Sequence, residues 1–127
     1  QHRVYARPEM TPAERKAVWA ELEKEYRPHM DYENDPFYAN GGFWQRQSHI
    51  FQCPFYYIDY VLASICAMQF KVMMDEDFKK AWENYLKLCN LSARDFFVNV
   101  IRESGLNSPF EDGCIRELVE KLEKKTC

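Results

Sequence analysis

Apolar residues recur along the chain at spacings of three and four, the period of a helix, and no convincing run alternates at two as a half-buried strand would. Thr11-Pro12-Ala13-Glu14 opens the first helical run. A capping Thr, a Pro at the first helical position and a Glu three residues after the cap together mark a helix start. The pattern predicts a helix over 12–26 with Val18, Trp19, Leu22 and Tyr26 as its apolar stripe and Pro28 beyond its end. Residues 27–42 read as loop, punctuated by Pro36 and Asn40-Gly41-Gly42. A short helical or extended piece over 43–51 leads to Pro54. Residues 55 to about 74 form a central helix that is apolar on nearly every side, the pattern of a helix enclosed by protein. Asp75 is placed to cap a helix over 76–89, with Phe78, Ala81, Trp82, Tyr85, Leu86 and Cys89 as its stripe. Ser92 caps the next helix, to 104, with Asp95 three residues on, Phe96, Phe97, Val100 and Ile101 facing inward, and Gly105 as its stop. Ser108-Pro109 opens the last segment, striped by Cys114, Ile115, Leu118, Val119 and Leu122. Lys121, Lys124 and Lys125 lie at its C-terminal end, where the helix dipole favours cations. The predicted class is all-α, about five helices joined by mostly short connections.

The chain's 127 residues suit one domain, and its 46% hydrophobic content is enough for a core. A net charge of −3 gives no electrostatic reason to bind nucleic acid or an anionic membrane. The 55–74 run is as long as a membrane span, but Asp59, Gln69 and Lys71 inside it favour a soluble core helix. Five cysteines, Cys53, Cys66, Cys89, Cys114 and Cys127, are widely spaced and form no C-x-x-C pair. They read as reduced thiols of an intracellular protein. Residues 1–11 show no signal-peptide pattern. The opening Gln1-His2-Arg3-Val4-Tyr5 resembles neither a natural start nor a tag, so the chain is expected to be a piece of something longer.

Chemistry concentrates in His49-Ile-Phe-Gln-Cys-Pro-Phe-Tyr-Tyr-Ile-Asp-Tyr60. A histidine before a Pro turn, followed by Tyr56, Tyr57, Asp59 and Tyr60 in the first two turns of a helix, sets several hydrogen-bond donors where an oxyanion could be held. The plain alternative is that the tyrosines pack in a core with their hydroxyls satisfied. Asp59 reads as a structural acceptor or as the partner that orients His49. No two of His2, His29 and His49 share a helix at i, i+4, so no metal site is visible. Cys53, four residues after His49 and just before a helix, could serve as a nucleophile or simply pack; Cys66 and Cys89 read as core. The carboxylate runs at 75–77 and 111–112 are explained by helix starts.

The run Trp44-x-x-x-x-His49-Ile-Phe-x-x-Pro54-Phe-Tyr-Tyr-Ile-Asp-Tyr60 resembles the C-terminal part of oligoendopeptidase F-like zinc metallopeptidases, relatives of thimet oligopeptidase. Ala81-Trp-x-x-Tyr85-Leu, Gly105-Leu-x-x-Pro109-Phe and Val4-Tyr-x-x-Pro8-x-Met-Thr-Pro extend the resemblance over essentially the whole chain. Thimet-type enzymes carry a Gly-rich loop where this chain has Gln52-Cys53-Pro54. The resemblance implies an all-helical cytoplasmic peptidase with a channel for short peptides. It also implies zinc in the intact enzyme, held by H-E-x-x-H and a downstream glutamate. That motif is not in this chain and is expected upstream, so residues 1–127 alone are expected to be inactive and to hold no metal. By the same resemblance His49, Tyr57 and Tyr60 are the catalytic donors and Tyr56 contacts substrate. The implied partners are short peptides and the upstream part of the same chain, with no nucleic acid and no membrane. Two other readings stand beside this one: a stand-alone helical interaction module derived from such a peptidase, without metal or activity, and a cysteine hydrolase built on Cys53 and His49.

Overall fold

The computed structural model describes residues 1–126, with side chains through Lys124; Cys127 and the Lys125 side chain, both named above, lie outside the described residues. Among the described residues there are eight α-helices and one 3-10 turn, with no strand. The all-α class holds, and five of the helices have seven residues or more. The chain divides into two compact units, 1–57 and 58–127.

The first unit contains α1 (His2–Ala6), α2 (Pro12–Tyr26), α3 (Pro36–Ala39), a 3-10 turn (Phe43–Arg46) and α4 (Ser48–Gln52). Helix α2 has the predicted bounds because its start is chemically closed. Thr11 Oγ1 accepts from the Glu14 N–H at 3.3 Å, and the Glu14 carboxylate accepts from the Thr11 N–H at 2.7 Å. The Thr11 N–H first, and the Thr11 hydroxyl donating to the same carboxylate at 2.8 Å second, hold the Glu14 carboxyl below its ordinary value of 4.5. Tyr26 ends the helix 72% exposed and does not continue the stripe.

The 27–42 loop is not featureless. Asp35 caps the short α3, accepting from the N–H groups of Phe37 and Tyr38. The buried Glu23 carboxylate accepts from Arg27 at 3.1 Å and from the Tyr32 hydroxyl. Burial first, and this carboxylate second, push the Tyr32 phenol up. Around it Tyr32, Tyr38 and Phe43 pack with ring centroids 5.6–6.2 Å apart, with the Arg27 guanidinium over the Phe43 ring. Helix α1 has no sequence signal, since five residues cannot hold a helix alone. It is tied down by Arg3 to Glu21 at 2.9 Å and by Tyr5 against Phe55 at 5.2 Å.

The second unit contains α5 (Ile58–Glu76), α6 (Phe78–Leu91), α7 (Phe97–Glu103) and α8 (Cys114–Thr126). Helix α5 organises it. Cys66 and Phe70 meet Ile101 and Leu106, while Ile65 and Val72 meet Leu118. Gln69 is buried between them and pairs with the Asn107 backbone twice, donating to its carbonyl at 3.0 Å and accepting from its N–H at 2.8 Å. Four short companion helices can hardly cover so apolar a helix, and within this structure α5 is indeed incompletely enclosed: Ile58, Val61 and Met68 are exposed.

Three boundaries move for identifiable reasons. Asp77, not Asp75, caps α6, accepting from the Lys80 N–H at 3.0 Å, because Asp75 remains in α5 and takes the Lys71 ammonium at 2.5 Å. Ser92 closes α6 instead of opening α7, since Ala93 turns left-handed at φ +64° and helical geometry resumes only at Phe97. As a result Phe96 is 83% exposed and Phe97 is also exposed, whereas Val100 and Ile101 are buried as expected. Gly105 stops α7 at φ +77°, with the Leu106 N–H returning to the Ile101 carbonyl.

Gly41 lies at φ +79°, and a Cβ there would stand 2.1 Å from the Lys16 carbonyl oxygen of α2. Gly41→Ala is therefore expected to destabilise the chain by more than about 1 kcal/mol, read as a lower urea midpoint. The Glu14 carboxylate supplies a pH signature. Its folded-state pKa is depressed, so its contribution is present above the ordinary carboxyl value and is lost as pH falls through the lowered one. Glu14→Gln should lower Tm near neutral pH, and the gap from the parent chain should close in acid below the carboxyl range.

Candidate functional site

Helix α4 carries His49, and its exit sets the site. The Cys53 N–H closes on the His49 carbonyl at 3.0 Å, and the Tyr56 N–H closes on the Cys53 carbonyl at 3.1 Å. Between them Phe55 takes φ +63°. With that left-handed residue α5 starts at Ile58 and not at Phe55, so Tyr56 and Tyr57 sit in the turn before α5 and not on its first two turns, as the sequence pattern had them. The reversal carries both phenol rings back to the imidazole. The His49 ring stacks on Tyr56 with centroids 5.9 Å apart and meets Tyr57 edge-on at 5.3 Å. The imidazole is half-buried, and both tyrosines are exposed.

Two residues without a sequence signal support this turn. Gln1 bridges it, its amide nitrogen donating to the Ile50 carbonyl at 3.1 Å and its amide oxygen accepting from the Phe55 N–H at 2.9 Å. Tyr5 packs its ring on Phe55. No glycine marks the left-handed position, which is why periodicity alone runs the helix through it.

Tyr60 and Asp59 lie in the first turn of α5, in the second unit. Tyr60 is exposed. Asp59 lies on an apolar groove of about 620 Å³, with Leu62, Ala63, Phe96, Phe97 and Phe110.

An imidazole and phenols that share a partly open surface offer N–H and O–H donors to a developing negative charge. They do not make a metal centre: among the described residues no group of three or more His, Cys, Asp or Glu could hold a metal ion, so the ligand set of a zinc enzyme has no fit here. None of the helices among the described residues is long and apolar enough to cross a membrane.

The four described cysteines are free thiols, and they divide by exposure. Cys66 and Cys114 are buried; burial pushes both thiols up, with Cys114 adding to the shift of Cys66 and Glu111 to that of Cys114. Cys53 and Cys89 are exposed, so the expectation of Cys89 as core is corrected: it lies on the outer side of α6. Alkylation near neutral pH, followed by peptide mapping, should label Cys53 and Cys89 well before Cys66 and Cys114.

No family model matches the chain, and no curated protein does. Solved structures do. The chain is similar to a PZ peptidase A determined with an inhibitor, at 48% identity and a TM-score of 0.90, over 97% of this chain and 22% of that one. It is similar to a candidate oligoendopeptidase F at 47% identity and a TM-score of 0.89, again over 97% of this chain and 22% of that one. The chain thus spans about a fifth of the length of these relatives.

Proposed function

We propose, for a chain that belongs over its own span to the oligoendopeptidase F-like peptidases, that it forms one wall of the peptide-hydrolysing cleft of a longer zinc metallopeptidase, as its C-terminal part. In this reading the metal is held by residues outside this chain, and the substrates are short peptides. His49 donates from a ring nitrogen to the scissile carbonyl oxygen as negative charge gathers on it. Tyr57 and Tyr60 add hydroxyl donors to the same oxygen, and Tyr56 orients the peptide backbone. Donors preset where charge develops cost no reorganisation at the moment of reaction, which is why they act on the transition state more than on binding. The observation that carries this reading is the convergence of Tyr56 and Tyr57 on the partly exposed His49 ring, within a segment nearly half identical to peptidases. The placement of Tyr60 in the mechanism rests on the motif alone.

The test is made in a full-length peptidase that contains this segment. His49→Ala should lower kcat about 10²–10³-fold with little change in KM, while metal analysis shows the zinc content unchanged. An unaltered kcat would remove His49 from the reaction. Loss of zinc along with activity would assign it a different part.

A further inference from the structure

We propose that Gln1 is a positioning residue for the His49 site: its side-chain amide clamps the turn between Ile50 and Phe55 and so holds Tyr56 and Tyr57 against the imidazole. The inference rests on the reading of His49 as an oxyanion donor and adds a residue that acts through the site without touching substrate. The turn contains two backbone groups that a continuing helix would have paired. The Ile50 carbonyl would accept from the N–H of residue 54, but Pro54 has none. The Phe55 N–H would donate to the carbonyl of residue 51, but α4 ends at Gln52 and Phe55 is left-handed. Gln1 meets both groups with one side chain, its Nε2 donating to the Ile50 carbonyl at 3.1 Å and its Oε1 accepting from the Phe55 N–H at 2.9 Å. A primary amide can do this because it donates on one side and accepts on the other; a carboxylate only accepts and an ammonium only donates.

The clamp is itself anchored. Gln1 is half-buried, and its carbonyl accepts from the N–H groups of Val4 and Tyr5 at 2.9 and 3.0 Å, at the start of α1. Arg3 ties α1 to Glu21 of α2 at 2.9 Å, and the Tyr5 ring lies 5.2 Å from that of Phe55. All of these residues belong to the first unit. What the clamp opposes is the backbone preference of residue 55, since a phenylalanine disfavours φ +63°. Without the clamp the residue returns to negative φ in most molecules, and Tyr56 and Tyr57 leave the imidazole. The rate then falls with the fraction of molecules that keep the donors preset.

The test is a mutant cycle in a full-length peptidase that contains this segment. Gln1→Met keeps the length of the side chain and removes both hydrogen bonds. It should lower kcat about tenfold, with KM and zinc content within about twofold of the parent. Glycine takes positive φ without a steric cost, so a Phe55→Gly background no longer needs the clamp. There the added Gln1→Met should cost less than about threefold in kcat. Phe55→Asn, which also tolerates the left-handed region, is the second background should the glycine variant not fold. His49→Ala, measured alongside, separates this inference from the reading beneath it. An unaltered kcat in His49→Ala removes that reading and this inference with it. A kcat lowered by His49→Ala but not by Gln1→Met overturns the role of Gln1 alone. So does an equal Gln1→Met loss with phenylalanine and with glycine at position 55, or a loss that appears in KM or in zinc content instead of kcat.

Discussion

A phenylalanine at φ +63° costs about 1–3 kcal/mol and persists only where its surroundings over-determine it. At Phe55 those surroundings are the Gln1 amide on its N–H and the Tyr5 ring on its side chain. The candidate site follows from that one residue. With helical geometry at position 55, α5 would begin a turn earlier and fan Tyr56 and Tyr57 around its axis. The left-handed turn instead folds both phenols onto the imidazole of α4. Gln1 and Tyr5 therefore bear on the placement of His49, Tyr56 and Tyr57 some fifty positions later, through the backbone conformation at Phe55.

The parts of the fold that could be read from sequence are those whose signals are local. Helix α2 is bounded by a capping box and a proline, and its limits come out as predicted. The Gly105 stop is equally local. What could not be read depends on partners distant in sequence. Helix α1 exists through Glu21 and Phe55, and the folded form of the 27–42 loop exists through Glu23 and Phe43. Asp75 and Asp77 are equal candidates as caps until the Lys71 pairing is known. Of the candidate site, the residue types and their clustering were legible, whereas their placement was not, since nothing in the sequence marks Phe55 or Ala93 as left-handed.

The second unit leaves much apolar surface open. Phe96 and Phe110 flank the groove that Asp59 edges, Phe97 meets Phe110 edge-on, and α6 displays Phe78, Trp82 and Tyr85 as a run of stacked rings. Residues that a periodic pattern assigns to a core are exposed here, which is the behaviour expected of a segment whose relatives are several times longer.

Gln69 illustrates how narrowly such a segment can be specified. Its side chain both gives and takes a hydrogen bond at the Asn107 backbone, reading the peptide unit with two complementary atoms. Glutamate differs by one atom and has nearly the same shape, yet when ionised it can only accept, so it would face the Asn107 carbonyl with like polarity inside the core. The position discriminates between two almost isosteric residues by the direction of a proton. Slow hydrolytic loss of that amide, a chemistry of protein ageing, would undo the clasp between α5 and the 107 loop without altering the volume of the core.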